Sequence, residues 1–121
     1  MKSLVLGDLE QEILSIIWAS KEPMNVRSVL EQLKEKSAYT TVMTVMTRME
    51  KKGILKRIPD GNSFVYTYTE CKEEFAGKHL GGIFNSLVDT YGALAISQFI
   101  DSVKSDDKNS QLLKDFLNKN E

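Results

Sequence analysis

Apolar residues recur at helical spacing along most of the chain and cluster as strands only briefly near its middle. Leu9, Ile13, Ile16, Ile17 and Trp18 make one helical stripe, with Asp8 as N-cap and Gln11 three residues on in the manner of a capping box. Lys21-Glu22-Pro23 breaks that helix. Asn25 caps a shorter second helix whose Val26, Val29, Leu30 and Leu33 share a face, and Lys34 to Ala38 is a polar connector. The next stretch, YTTVMTVMTRMEKKG over 39–53, mixes strand-favouring Thr and Val with helix-forming Met, Arg, Glu and Lys. On a helical projection Val42, Val45, Met46 and Met49 fall in one sector. Thr40, Thr44, Thr47 and Lys51 lie opposite, with Thr41 and Arg48 at one margin and Met43 and Glu50 at the other. The pattern is that of an amphipathic third helix stopped by Gly53 as C′ residue.

Ile54–Ile58 and Phe64–Tyr68 are rich in β-branched and aromatic residues, and the turn formers Pro59-Asp60-Gly61-Asn62-Ser63 separate them. Three helices followed by a β-hairpin predict a winged helix-turn-helix domain over 1–70. Residues 71–121 return to helical spacing. Phe75, Leu80, Ile83, Phe84, Leu87, Val88 and Tyr91 mark one helix, and Leu94, Ile96, Phe99, Ile100 and Val103 a second. Leu112, Leu113, Phe116 and Leu117 mark a third, capped by Asn109 or Ser110 after a loop at Ser105–Lys108. The expected fold class is therefore mostly α with a small β-hairpin (α+β). Fifty residues of short helices make a thin core, so their apolar faces need cover. A second copy of the same segment is the economical cover and gives a homodimer; packing back on the first domain is the alternative. Gly77, Gly81 and Gly82 inside the first of these helices fit either a close helix approach or a kink.

Composition alters this picture little. The chain has 121 residues, 41% of them hydrophobic, and a formal net charge of −1, which argues against a polycationic binder. The distribution is more informative: Lys36, Arg48, Lys51, Lys52, Lys56 and Arg57 face only Glu50 within 36–57. The lone cysteine, Cys71, excludes an internal disulfide and fits a reducing compartment. Met1 to Leu6 is too short for an export signal, and no run approaches the ~18 apolar residues of a membrane span. A cytoplasmic chain without stable membrane association is expected.

The outer face of the third helix carries the candidate chemistry. Surface helices favour Glu, Lys, Gln or Ala, and each Thr costs roughly 0.6 kcal/mol of helix propensity. Small hydroxyls ending in Arg and Lys suit a groove in which long acidic side chains would obstruct. Threonine can meet a base edge, phosphate or thymine methyl, and Arg forks onto guanine. The third helix of such a series is the recognition helix. Arg57 and the hairpin tip, including Asn62 and Ser63, can reach flanking phosphate or minor groove. Lys51 and Lys52 are placed as phosphate contacts. A protein-protein interface on the threonine face is the competing reading.

The stretches GDLEQEILSIIW, YTTVMTVMTRMEKKGIL and FVYTYT resemble the penicillinase-repressor family (BlaI/MecI type, with the copper-responsive CopY repressors as relatives) through residues 4–70, more weakly beyond. The resemblance implies a cytoplasmic dimeric repressor on an inverted repeat of double-stranded operator DNA, dimerised by intertwined C-terminal helices. It places recognition contacts at Tyr39, Thr40, Thr41, Thr44 and Arg48. CopY-type members end in cysteine pairs that bind metal; Cys71 stands alone and His79 is the only histidine, so that device is absent. In the β-lactam branch a membrane sensor-protease system inactivates the repressor by cleavage before a Phe. The comparable bond here is Gln98-Phe99 in AISQFID, with Gln where family members carry Asn. Control of β-lactam resistance genes is the corresponding expectation. Cys71 and His79 form no nucleophile-base motif, and no glycine-rich loop follows a strand, so neither an enzyme nor a cofactor or metal site is expected.

Overall fold

The computed structural model describes residues 6–119. They form α1 (Asp8–Ala19), α2 (Val26–Gln32), α3 (Tyr39–Lys51), β1 (Leu55–Asp60), β2 (Ser63–Tyr68), α4 (Lys72–Tyr91), α5 (Ala93–Lys104) and α6 (Asp107–Lys119). The expectation about an export signal at Met1 to Leu6, and the outer ends of both expected domains, fall largely on residues outside that range.

Each element stops or starts for a local reason, and the reason is not always the expected one. Asp8 is already helical; Gly7 is the N-cap of α1, and its N–H donates to Glu10 Oε1 at 3.0 Å. Gln11 instead donates through Nε2 to the Leu6 carbonyl at 3.0 Å, so Glu10 takes the role assigned to it. Asn25 caps α2 as expected, its side chain accepting from the Ser28 N–H at 2.8 Å. At the end of α3 the Gly53 N–H bonds to the Glu50 carbonyl at 3.0 Å and the Ile54 N–H to the Met49 carbonyl at 2.9 Å. Gly53 has φ 82°, a left-handed stop with the paired bonds of a Schellman motif.

The hairpin pairs antiparallel from Leu55↔Tyr68 to Asp60↔Ser63, leaving only Gly61-Asn62 in the turn. Pro59, Asp60 and Ser63 thus belong to strands rather than to a five-residue loop. Gly61 at φ 63° supplies the positive φ that a two-residue connection needs. Beyond β2, Met24 forms a bridge to Tyr66, with N–H···O bonds of 2.9 and 2.8 Å. The strand β1 is thereby the outer one, which is where a proline is tolerated.

The contacts divide the chain between His79 and Leu80, inside α4, rather than at the expected 70/71 boundary. The N-terminal unit is built on Ile13, Leu14 and Ile17 of α1, Val29 of α2, Val42, Met46 and Met49 of α3, and Leu55 and Tyr66 of the hairpin, all buried. Phe75, grouped by sequence with the dimerisation residues, is corrected to this core. It is buried, edge-on to Trp18 at 5.4 Å between ring centroids and against the His79 ring at 4.5 Å. Trp18 Nε1 donates to the Glu70 carbonyl at 3.1 Å, fixing the same corner.

The helix α4 runs without a break through Gly77, Gly81 and Gly82. Nothing stands within 4 Å of where a Cβ would lie at Gly77 or Gly81. The sixth helix starts earlier than expected: Asp106 Oδ1 accepts from the Asn109 N–H at 3.0 Å, so the cap is neither Asn109 nor Ser110. Ser110 instead donates to the Val103 carbonyl at 2.6 Å, tying α6 to α5. No residue of α5 or α6 is buried. Leu80, Phe84, Leu87, Tyr91, Leu94, Ile96, Phe99, Ile100, Leu112, Leu113, Phe116 and Leu117 are all exposed, while Ile83, Val88 and Val103 are half-buried. An open apolar groove of about 530 Å³ between α4 and α5 is lined by Phe84, Leu87, Tyr91, Leu94 and Phe99 among others.

Candidate nucleic-acid interface

Burial of Val42, Met46 and Met49 decides which way α3 faces. Thr40, Thr41, Thr44, Arg48 and Lys51 are consequently exposed, and Thr47 and Val45 are half-buried. The threonines and the two cations share one amphipathic helix, but not one chemistry. Thr44 and Thr47 both donate their hydroxyl protons to backbone carbonyls four residues back. Tyr39 opens the helix as an exposed residue, and the guanidinium of Arg27 on α2 lies 5.3 Å from its ring centroid. That stacking braces the first turn of α3 from the neighbouring helix. Arg27 carried no sequence signal for this role, because the pairing depends on how α2 packs against α3.

The basic tail of α3 is divided. Lys51 is exposed, whereas Lys52 Nζ is held by Glu10 Oε2 at 2.9 Å. Glu10 also accepts from Gly7, so one carboxylate joins the N-terminus of α1 to the C-terminus of α3. A hollow of about 280 Å³ at this junction is lined by Leu9, Glu10, Val45, Arg48 and Lys52 among others. The phosphate role expected of Lys52 therefore competes with an internal ion pair. Partial burial pushes the Glu10 carboxyl up, but the Gly7 N–H and the Lys52 ammonium outweigh it and hold it below the ordinary carboxylate value. A depressed carboxylate contributes stability above its unfolded value and loses it as pH falls through the folded one. Glu10→Gln is accordingly expected to be less stable than the parent at neutral pH and equally stable in acid. Thermal unfolding of the two proteins across pH measures this, and a difference independent of pH would refute the ionic tie.

On the wing, Arg57 is exposed and its guanidinium lies 4.1 Å from the Phe64 centroid, a diagonal cross-strand stack. Asn62 sits in the turn and Ser63 begins β2, both exposed, with Ser63 Oγ donating to the Asp60 carbonyl at 3.3 Å. The hairpin tip thus presents one stacked cation and small polar groups.

Another charged cluster lies at the start of α4. Glu70 meets Lys78 at 2.8 Å and His79 at 3.4 Å, and Lys78 above all holds its carboxyl below the ordinary value. Cys71 is half-buried beside it, its backbone N–H bonded to Glu74 Oε1 at 3.0 Å. Among the described residues no three His, Cys, Asp or Glu side chains are grouped as metal ligands. No described helix is long and apolar enough to cross a membrane.

A winged-helix order with this exposed third helix agrees with the sequence comparison, in which the model of the penicillinase repressor family matches residues 6–119. The chain belongs to the penicillinase repressor family. Among its relatives, the transcriptional regulator BlaI of Mycobacterium tuberculosis is 32% identical over 105 residues, covering 84% of this chain and 76% of its own. The penicillinase repressor of Bacillus licheniformis is 31% identical over 69% of this chain and 72% of its own. The methicillin resistance regulatory protein MecI of Staphylococcus aureus is 30% identical over 72% of this chain and 78% of its own. The solution structure of the DNA-binding domain of the repressor BlaI superposes with a TM-score of 0.52 at 28% identity. It covers 60% of this chain and 90% of that domain. Penicillinase repressors are regulators of transcription rather than enzymes, and the winged-helix fold is shared with that solved domain.

Proposed function

We propose that the chain is a sequence-specific DNA-binding transcriptional repressor that acts as a homodimer on an inverted-repeat operator in the cytoplasm. The observation that carries this reading is the outer face of α3, where small exposed threonines end in Arg48 and Lys51 over a fully buried Val42, Met46 and Met49. Tyr39, Thr40, Thr41, Thr44 and Arg48 read bases; Lys51, Arg57, Asn62 and Ser63 position the backbone. The exposed apolar faces of α4, α5 and α6 support pairing with a second copy. The names of the relatives support control of β-lactam resistance genes. Relief by a sensor-protease at Gln98-Phe99 is the finer part of the proposal. Phe99 is 58% exposed, which favours access, but the bond lies within α5, so that helix must open before it can be cut.

The test is a gel-shift titration on duplex DNA at several salt concentrations. A DNA-binding dimer gives a steep fall of log affinity with log salt, whereas a protein-protein module binds no duplex. Arg48→Ala is expected to weaken binding to the selected operator by ~1–3 kcal/mol and to leave the dimer intact. Lys51→Ala is expected to weaken operator and random DNA alike. Unchanged operator affinity in Arg48→Ala would remove that residue from the reading set.

A further inference from the structure

The threonine hydroxyls on α3 are less free than their exposure suggests. Thr44 Oγ1 donates to the Thr40 carbonyl at 2.8 Å, and Thr47 Oγ1 donates to the Met43 carbonyl at 2.8 Å. A hydroxyl has a single proton, so neither side chain donates to a base acceptor while that bond stands. Turning the hydroxyl toward the helix backbone leaves the methyl on the other side of Cβ. What these two positions offer a groove is a methyl group and a lone pair.

Met43 extends that apolar character. It is 41% exposed, one turn after the equally exposed Tyr39 and one turn before Thr47. Spacing of four places Tyr39, Met43 and Thr47 in one row along the helix surface. Arg27 braces the Tyr39 end of the row; Glu50 shares its margin, while Lys51 on the outer face and Arg48 at the opposite margin supply positive charge. An apolar row within a basic, groove-sized helix calls for an apolar group on an anionic partner. In the major groove that group is the thymine C5-methyl.

We propose that Met43, with the methyl groups of Thr44 and Thr47, reads thymine methyls in the major groove, which makes Met43 a specificity-determining residue of α3. The proposal rests on the DNA-binding reading above and adds a residue and a chemistry to it. Specificity at these positions is steric and apolar, and donor chemistry is left to Arg48.

The test uses the full chain and the duplexes it enriches from a random-sequence pool. Each thymine of an enriched duplex is replaced in turn by deoxyuridine, which lacks only the methyl. One or two replacements per half-site are expected to weaken binding about fourfold each, the worth of burying one methyl group. Met43→Gln keeps side-chain length and helix compatibility; its thymine-to-uracil affinity ratio is expected to fall to about one at its position. Thr47→Ser, which deletes a methyl and keeps the hydroxyl, is expected to do the same at the neighbouring position. Uracil tolerated at every thymine, or a ratio unchanged in both variants, overturns the inference while sequence enrichment keeps the repressor reading. A chain that enriches no sequence overturns both.

Discussion

A chain ending at His79 is expected to be a folded monomer, and one ending at Glu70 is expected to be ~3–5 kcal/mol less stable. The difference is Phe75. Its ring fills the corner beside Trp18 and is counted among the buried residues of the N-terminal core, although it lies on α4. Cutting at Glu70 removes that ring, and with it the Lys78 and His79 partners of the Glu70 carboxylate. Chemical denaturation of the two chains measures the loss, and equal stabilities would show that Phe75 packs without consequence. Sedimentation of the longer chain tests the dimer interface at the same time. A dimer persisting without residues beyond His79 would place the interface outside 80–121. As a monomer it is expected to bind the two-fold operator ~10²–10⁴ less tightly than the full chain, because both half-sites are no longer engaged by linked domains.

The second large effect is expected beneath the recognition face. Met46→Ala should cost ~2–5 kcal/mol of stability, since the side chain is fully buried under α3 and its loss leaves a cavity. At a temperature where the variant remains folded, its operator affinity should stay within a few-fold of the parent. Arg48→Ala has the opposite profile, with affinity lost and stability kept. Calorimetry paired with gel shifts separates the two, and a Met46→Ala protein that folds fully yet fails to bind would mean that Met46 sets the geometry of the reading face.

Much of this architecture was legible in the sequence because it is local. The apolar sector of Val42, Met46 and Met49 fixed both the helix and its facing, and Asn25 and Gly53 punctuate the chain where their side-chain and backbone chemistry requires. The family resemblance through YTTVMTVMTRMEKKGIL agrees with the match over 6–119. What escaped were relations between distant residues. Glu10 and Lys52 are 42 positions apart, and Trp18 and Glu70 are 52 apart, so no periodicity could pair them. Phe75 continues the apolar rhythm of α4 without interruption, and only its contact with Trp18 assigns it to the other unit. The cap of α1 falls at Gly7, one residue before the position that residue type alone favours, because Asp8 is a stronger cap by type. Glu10 at the third helical position was the signal that would have found it.

The bare surfaces of α5 and α6 have a consequence for regulation. On the proposed pairing, the C-terminal half is expected to fold only as far as two chains meet, and its stability to rise with protein concentration. Unpaired copies are then expected to be cut by a general protease faster than paired ones, which limited proteolysis at rising protein concentration measures. Occupancy of the proposed operator is then expected to follow roughly the square of chain concentration at low levels. The proposed pairing would thus set a threshold of abundance below which the operator stays free.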